Sequence, residues 1–209
     1  MKKIITLLFS IFFLYSPSVF ADDISDFSIE GISIGDSLLD YMTKDEILEG
    51  IEENKDHYPN LNEPYKYAEV YLFNDFPTYE YIKVFIKNNS SNQYLTNNNE
   101  KFTILAFAGG IDFIEDFDSC LQKQNEIVEV VPGMFPEAQK VEDNLVHGAD
   151  PSGESIIDGV YFNFDSGAVI EVACYNFEET FRIKKNWSEG LIFSVYSEEI
   201  YSWLLNRWR

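Results

Sequence analysis

The chain has 209 residues, of which 36 are acidic and 15 basic, for a formal net charge of −21. Such a field repels nucleic-acid phosphates and anionic lipid head groups alike, which excludes binding to either through a charged face. A hydrophobic share of 45% with 16% aromatic residues excludes a chain too polar to fold and calls for a real core.

The first segment, "MKKIITLLFSIFFLYSPSVFA", places Lys2 and Lys3 before an apolar run from Ile4 to Tyr15 and ends on the small residue Ala21. This is the pattern of a secretory signal peptide cleaved after Ala21. The run is shorter than the about 20 residues a helical span needs, and no cysteine stands at the cleavage point to take a lipid. Residues 1–21 are therefore expected to be a leader, and residues 22–209 a periplasmic or secreted protein with no membrane span. Losing the leader removes two lysines and no acid, so the mature chain is more negative still.

Next, "FSIEGISI" alternates around Gly31 as a short extended segment or bulged strand, and Gly35-Asp36 breaks it. Thr43 and Glu46 form a capping box ahead of a helix over 43–54 with Ile47, Leu48 and Ile51 on its apolar face. Three strands follow, "YKYAEVYLF", "EYIKVFIK" and "KFTILAFAGGIDF", the last two separated by the polar loop Asn88–Glu100. Gly109-Gly110 reads as a bulge or bend in the third. A second helix is expected from Glu115 to Val131, stopped by Pro132-Gly133, and "EAQKVEDNLVHGADPSGES" reads as an exposed connection. Three more strands, "IIDGVYFNF", "GAVIEVACYNF" and "GLIFSVYS", follow, the first two joined by a tight turn at Asp165-Ser166-Gly167. A closing helix starts on Ser197 with Ile200, Trp203 and Leu204 facing inward. Most strands are separated by turns too short for crossover helices, so the sheet is antiparallel. The expected fold is one α+β domain, mainly antiparallel sheet with helices on one face. It divides into two consecutive helix-plus-three-strand units, with halves at 22–113 and 114–209.

Cys120 and Cys174 are the only cysteines. An even pair in an exported chain predicts one disulfide. It closes a loop of about 55 residues, a constraint worth roughly 4 kcal/mol before strain.

Gly35-Asp36-Ser37-Leu38 resembles the nucleophile motif of the GDSL-type esterases, which implies Ser37 as an attacking serine. That family also carries a late Asp-x-x-His, whereas here the last histidine, His147, follows Asn144-Leu145-Val146 and the other, His57, comes early. A serine needs a base and oxyanion donors to act. The expected role of Asp36 or Ser37 is instead to cap a turn. No spacing of metal ligands, no phosphate loop and no cofactor pattern stands out, so no catalytic residue, metal or cofactor is assigned. The stretch "IEGISIGDSLLDYMTKDEI" and the helix "CLQKQNEIVEVV" resemble exported proteins of AT-rich marine bacteria, which implies export and no particular activity. Gly31, Gly35 and Ser37 also follow the Gly-x-x-x-Gly-x-[Ser/Thr] order of small outer-membrane assembly lipoproteins and the β-lactamase-inhibitor-like fold, although the lipid-bearing cysteine of the former is missing. The function expected is a non-enzymatic binding or interaction module that meets a protein partner. The alternative is an exported hydrolase using Ser37 or paired carboxylates.

Overall fold

The computed structural model describes Ile24, residues 27–87 and residues 102–206. The expected leader and the expected loop Asn88–Glu100 lie outside the described residues.

The chain opens with a two-stranded hairpin, Ser28–Ile29 (β1) and Ile32–Ser33 (β2), turned by Glu30 and Gly31 at φ 50° and 82°. Two left-handed residues in the turn match the right-handed twist of the flanking strands, which is why a hairpin replaces the single bulged strand expected. Gly35, at φ 95°, ends it and leads into a short 3-10 turn at Leu38–Asp40. Helix α1 spans Lys44–Asn54 and begins on the predicted capping box. Glu46 Oε2 accepts from the Thr43 amide at 2.8 Å, and Thr43 Oγ1 accepts from the Glu46 amide at 3.4 Å.

Strands β3 (Tyr67–Leu72), β4 (Tyr81–Lys87) and β5 (Ile104–Asp112) form an antiparallel meander. Helix α2 (Phe117–Met134) crosses to a second meander of β6 (Gln139–Val146), β7 (Ile156–Asn163), β8 (Val169–Asn176) and β9 (Gly190–Tyr196). Helix α3 (Glu179–Lys185) links β8 to β9, and α4 (Glu198–Leu205) closes the chain on a Ser197 cap. β5 pairs with β9, so both meanders merge into one seven-stranded antiparallel sheet of order β3-β4-β5-β9-β8-β7-β6. The predicted turn between β7 and β8 is present: Gly167 adopts φ 83° and donates its amide to Phe164 O at 2.9 Å.

Side chains alternate between the faces of a strand. Val70, Val84, Phe107, Val172, Phe193 and Val195 take one face and pack with Ile47 and Ile51 of α1 and Val128 and Val131 of α2. On the other face Tyr67, Phe85, Ala106 and Tyr196 pack with Ile200 and Trp203 of α4. The α+β class and antiparallel sheet match expectation, while the closing helix lies across the sheet from α1 and α2.

Four further details differ from what the sequence predicts. The connection expected over Glu137–Ser155 contains β6, whose eight residues are all exposed. It lies outside the helix layer with both faces wet, so it lacks the alternation that marks a strand. Helix α3 was not foreseen. Helix α2 continues through Pro132 to Met134, where Phe135 N donates to Val131 O at 2.9 Å. The irregularity in β5 falls at Leu105, where the β4 register shifts between Phe85 and Ile86, and not at Gly109-Gly110. Those glycines stay in register, and aromatic rings occupy the space a Cβ would take: Tyr79 over Gly109 and Tyr81 over Gly110.

The Sγ atoms of Cys120 in α2 and Cys174 in β8 stand 1.99 Å apart, at disulfide distance, with both residues fully buried. One turn further along α2, the buried Gln124 donates Nε2 to Asp158 O at 2.8 Å and to Val172 O at 3.0 Å. The helix thus meets the sheet through the cysteine pair and a polar link side by side.

Candidate functional site

Ser37 opens the 3-10 turn with extended backbone, φ −87° and ψ 125°, and its side chain makes no capping hydrogen bond. Its segment lies along the start of β5, where Gly35 N donates to Ile104 O at 2.8 Å, Ile104 N donates to Asp36 O at 2.9 Å, and Ser37 bridges Thr103. The polar fastening comes from Asp36, whose Oδ2 accepts from Ser33 N at 2.8 Å and from the Tyr41 hydroxyl at 2.7 Å. Burial and then this bond to Asp36 push the Tyr41 phenol up to about 12. The capping expected of Asp36 or Ser37 is thus a clasp between hairpin and turn.

The two histidines belong to opposite edges of the sheet. His57 follows α1 and faces Glu69 of β3, Nδ1 to Oε2 at 3.2 Å. His147 follows β6, with ring centroids 5.2 Å from Phe177, 5.4 Å from Trp187 and 6.4 Å from Tyr175. Asp150 anchors the loop after it, accepting from Ser152 Oγ at 2.6 Å and Ser155 Oγ at 2.7 Å. Among the described residues, no three His, Cys, Asp or Glu side chains gather as a metal-ligand set.

The densest unexplained chemistry lies on the sheet face away from α1 and α2. In β3 the pattern Tyr67-Glu69-Tyr71 points to this face, in β4 Tyr81-Lys83-Phe85, and in β8 Glu171-Ala173-Tyr175. Lys83 pairs with Glu69 at 3.4 Å, the Glu69 side chain being only 2% exposed. Burial alone would raise the Glu69 carboxyl, but the Lys83 ammonium and bonds from His57, Tyr71 and Tyr58 outweigh it and hold the group down at about 2. Glu171 goes the other way: burial pushes its carboxyl up, and Tyr196, which donates its hydroxyl at 3.0 Å, together with Lys83, only partly offsets this.

Toward one end of the strands the face becomes aromatic. Phe73, just after β3 and 75% exposed, stacks on Tyr71 at 5.8 Å and 10°, and Tyr81 lies 5.6 Å from Tyr71 and 6.4 Å from Phe73. Across β5 and β9 the aromatic surface resumes with Tyr175, Phe177 and Trp187. Between Tyr81 and Tyr175 is a hollow of about 10 Å³, floored by Gly190 and Ile192, with room for roughly one water. The floor is low at Gly190, and Ala108, Gly110 and Ser194 are further small residues of β5 and β9 on this face. The result is a shelf of rings around a buried ion pair.

These strands are legible in the sequence, but the shelf is not among the sequence-based expectations. Its signal was nonetheless present: in "YAEVYL", "YIKVFI" and "VIEVAC" a charged residue occupies the middle of a core strand, in step with aromatic or small residues two positions away. Comparisons with known protein families, with curated proteins and with solved structures find no match to this chain.

Proposed function

We propose that this protein is an exported, non-enzymatic binding module that meets another protein through the aromatic shelf. The observation that carries the reading is Phe73, three-quarters exposed and packed against Tyr71 and Tyr81 on a face that α1 and α2 leave open. Exposed Tyr, Trp and Phe side chains are the anchors of protein interfaces, because each brings a large rigid area at low entropic cost. The shallowness of the hollow beside Tyr81 favours a partner's surface over an enclosed small molecule. Export is supported by the leader pattern over residues 1–21 and by a cysteine pair at disulfide distance, which suits an oxidising compartment.

The test is a photoreactive residue at position 73, with position 52 on the outer face of α1 as control, in cells that make the protein. A discrete adduct at 73 that is missing at 52 is expected, on a chain whose mass begins at Asp22. Equal adducts at both positions, or none at either, would remove the reading.

A second reading, a carboxylate-based hydrolase, draws on Glu69 and Glu171, whose carboxyls are driven in opposite directions as an acid and base pair requires. Against it, Glu69 is sealed and ion-paired. Hydrolysis of glycoside substrates that is lost in Glu171→Gln would favour the hydrolase, and hydrolysis of nitrophenyl esters lost in Ser37→Ala would favour the serine version.

A further inference from the structure

The shelf is bounded by acids. Glu80 precedes Tyr81, and its amide donates to Gly110 O at 3.0 Å. Asp112 lies two residues beyond Gly110, the cross-strand partner of Tyr81. Asp75 follows Phe73 by two residues, and all three carboxylates are exposed. Among the described residues none of them enters an ion pair. The only cation facing these rings from β3, β4 or β5 is Lys83, and it is already engaged by Glu69. The Tyr81 phenol is pushed up chiefly by burial; among the charges near it Lys83, which lowers it, ranks first, and Asp112, Glu69 and Glu80 raise it.

π faces beside unpaired carboxylates form a particular kind of receptor. An aliphatic partner would cover the rings but leave the acids desolvated without compensation, at a cost. An acidic partner would be repelled, here and by the whole molecule. A guanidinium satisfies both features, since its plane stacks on an aromatic ring while its N–H fork meets a carboxylate in two parallel bonds. An ammonium gains less, as a compact and strongly hydrated charge with no plane to stack.

We infer that the Tyr71, Phe73 and Tyr81 shelf, rimmed by Glu80 and Asp112, binds an arginine-bearing segment of the partner protein. This rests on the reading of the shelf as a binding face and adds the chemistry of what it takes.

The probe is a short peptide alternating arginine and serine, titrated calorimetrically into the oxidised mature protein at about 0.15 M salt, where only charges within about 8 Å act strongly. The companions are the same peptide with lysine and with citrulline, which keeps the shape of arginine but not its charge. Expected is binding in the order arginine, lysine, citrulline, weakened about tenfold by Phe73→Ala, the loss a stacked cation implies. Phe73 is exposed, so this variant leaves the core intact, and an unchanged melting temperature verifies it. The double variant Glu80→Gln/Asp112→Asn should weaken binding as well. Glu52→Gln/Glu53→Gln on α1, with the same change in net charge, should not. No binding of the arginine peptide, no effect of Phe73→Ala, or equal losses in the two double variants would overturn the inference. A discrete crosslink at position 73 alongside any of these results would leave the binding face standing and remove only its arginine preference.

Discussion

Glu69 and Glu171 flank the same lysine, yet their carboxyls are driven apart, and the difference is one of partners. Glu69 is approached by Lys83, His57, Tyr58 and Tyr71, which together outweigh its burial even though its Oε1 accepts no hydrogen bond. Glu171 has Tyr196, Tyr161 and Ser194 and shares Lys83 with its rival, and these do not offset its burial. Removing one charge of a buried pair strands the other, at roughly 3–5 kcal/mol, whereas neutralising an under-compensated charge is close to neutral or stabilising. Glu69→Gln is therefore expected to lower stability by about 3 kcal/mol. Glu171→Gln, which keeps an acceptor for Tyr196, should leave stability unchanged or raise it at neutral pH. Urea unfolding of both variants checks this, and equal destabilisation would show that the two acids share one environment. At Gly110 the restraint is steric: an added Cβ would stand 2.3 Å from the Tyr81 ring. Gly110→Ala should displace that ring and cost about 1–3 kcal/mol, the usual range for overpacking. If the inference about the shelf holds, the same change weakens arginine binding without touching any acid.

Among the elements, α2 is held most firmly, by the cysteine pair and by Gln124 against β7 and β8. The bridged residues are 54 apart in sequence. Reduction, or the Cys120→Ala/Cys174→Ala pair, should cost about 4 kcal/mol and lower the melting temperature by on the order of 10 °C. A shift of only a degree or two would mean that packing alone holds α2. These elements also show what a sequence can announce. The capping box of α1, the Gly167 turn and the Ser197 cap were legible because each depends on local chemistry. The core positions of β3 and β4, Val70, Leu72, Ile82, Val84 and Ile86, were legible because they alternate with polar and aromatic residues along the strands. β6 was not, because an edge strand with both faces wet has no such constraint; neither was the pairing of β5 with β9, which depends on contacts far apart in the chain. The shelf was half legible: its charged residues stood out in the strands, but only the register shows that they share a face and that small residues lie between them.

For the whole molecule the excess of acids acts against groups held in the opposite sense, and the balance sets a pH optimum. His57 is raised above its ordinary 6.5 chiefly by its bond to Glu69. A raised folded value means that its contribution is complete below 6.5 and fades as pH rises through the folded value. Glu171, also raised, favours the folded state as it takes up a proton above its ordinary 4.5. Lowering the pH from 8 toward 5 thus adds stability at both sites, and titration of unpaired acids begins to relieve the repulsion carried by a net charge of −21. Below that window the sign reverses. Asp150 is held down by bonds from Ser152 and Ser155, Glu178 by the amides of Thr180 and Phe181, Glu46 by Thr43, and Glu69 by Lys83 against its own burial. Each contributes stability above its ordinary value and loses it as pH falls through the folded one. The melting temperature, followed across pH at constant ionic strength, should therefore peak between about pH 4.5 and 6.5 and fall on both sides. In His57→Ala the alkaline decline should flatten while the acid limb stays in place. A maximum at or above pH 8 would mean that neither the Glu69 cluster nor the surface acids govern this fold's stability.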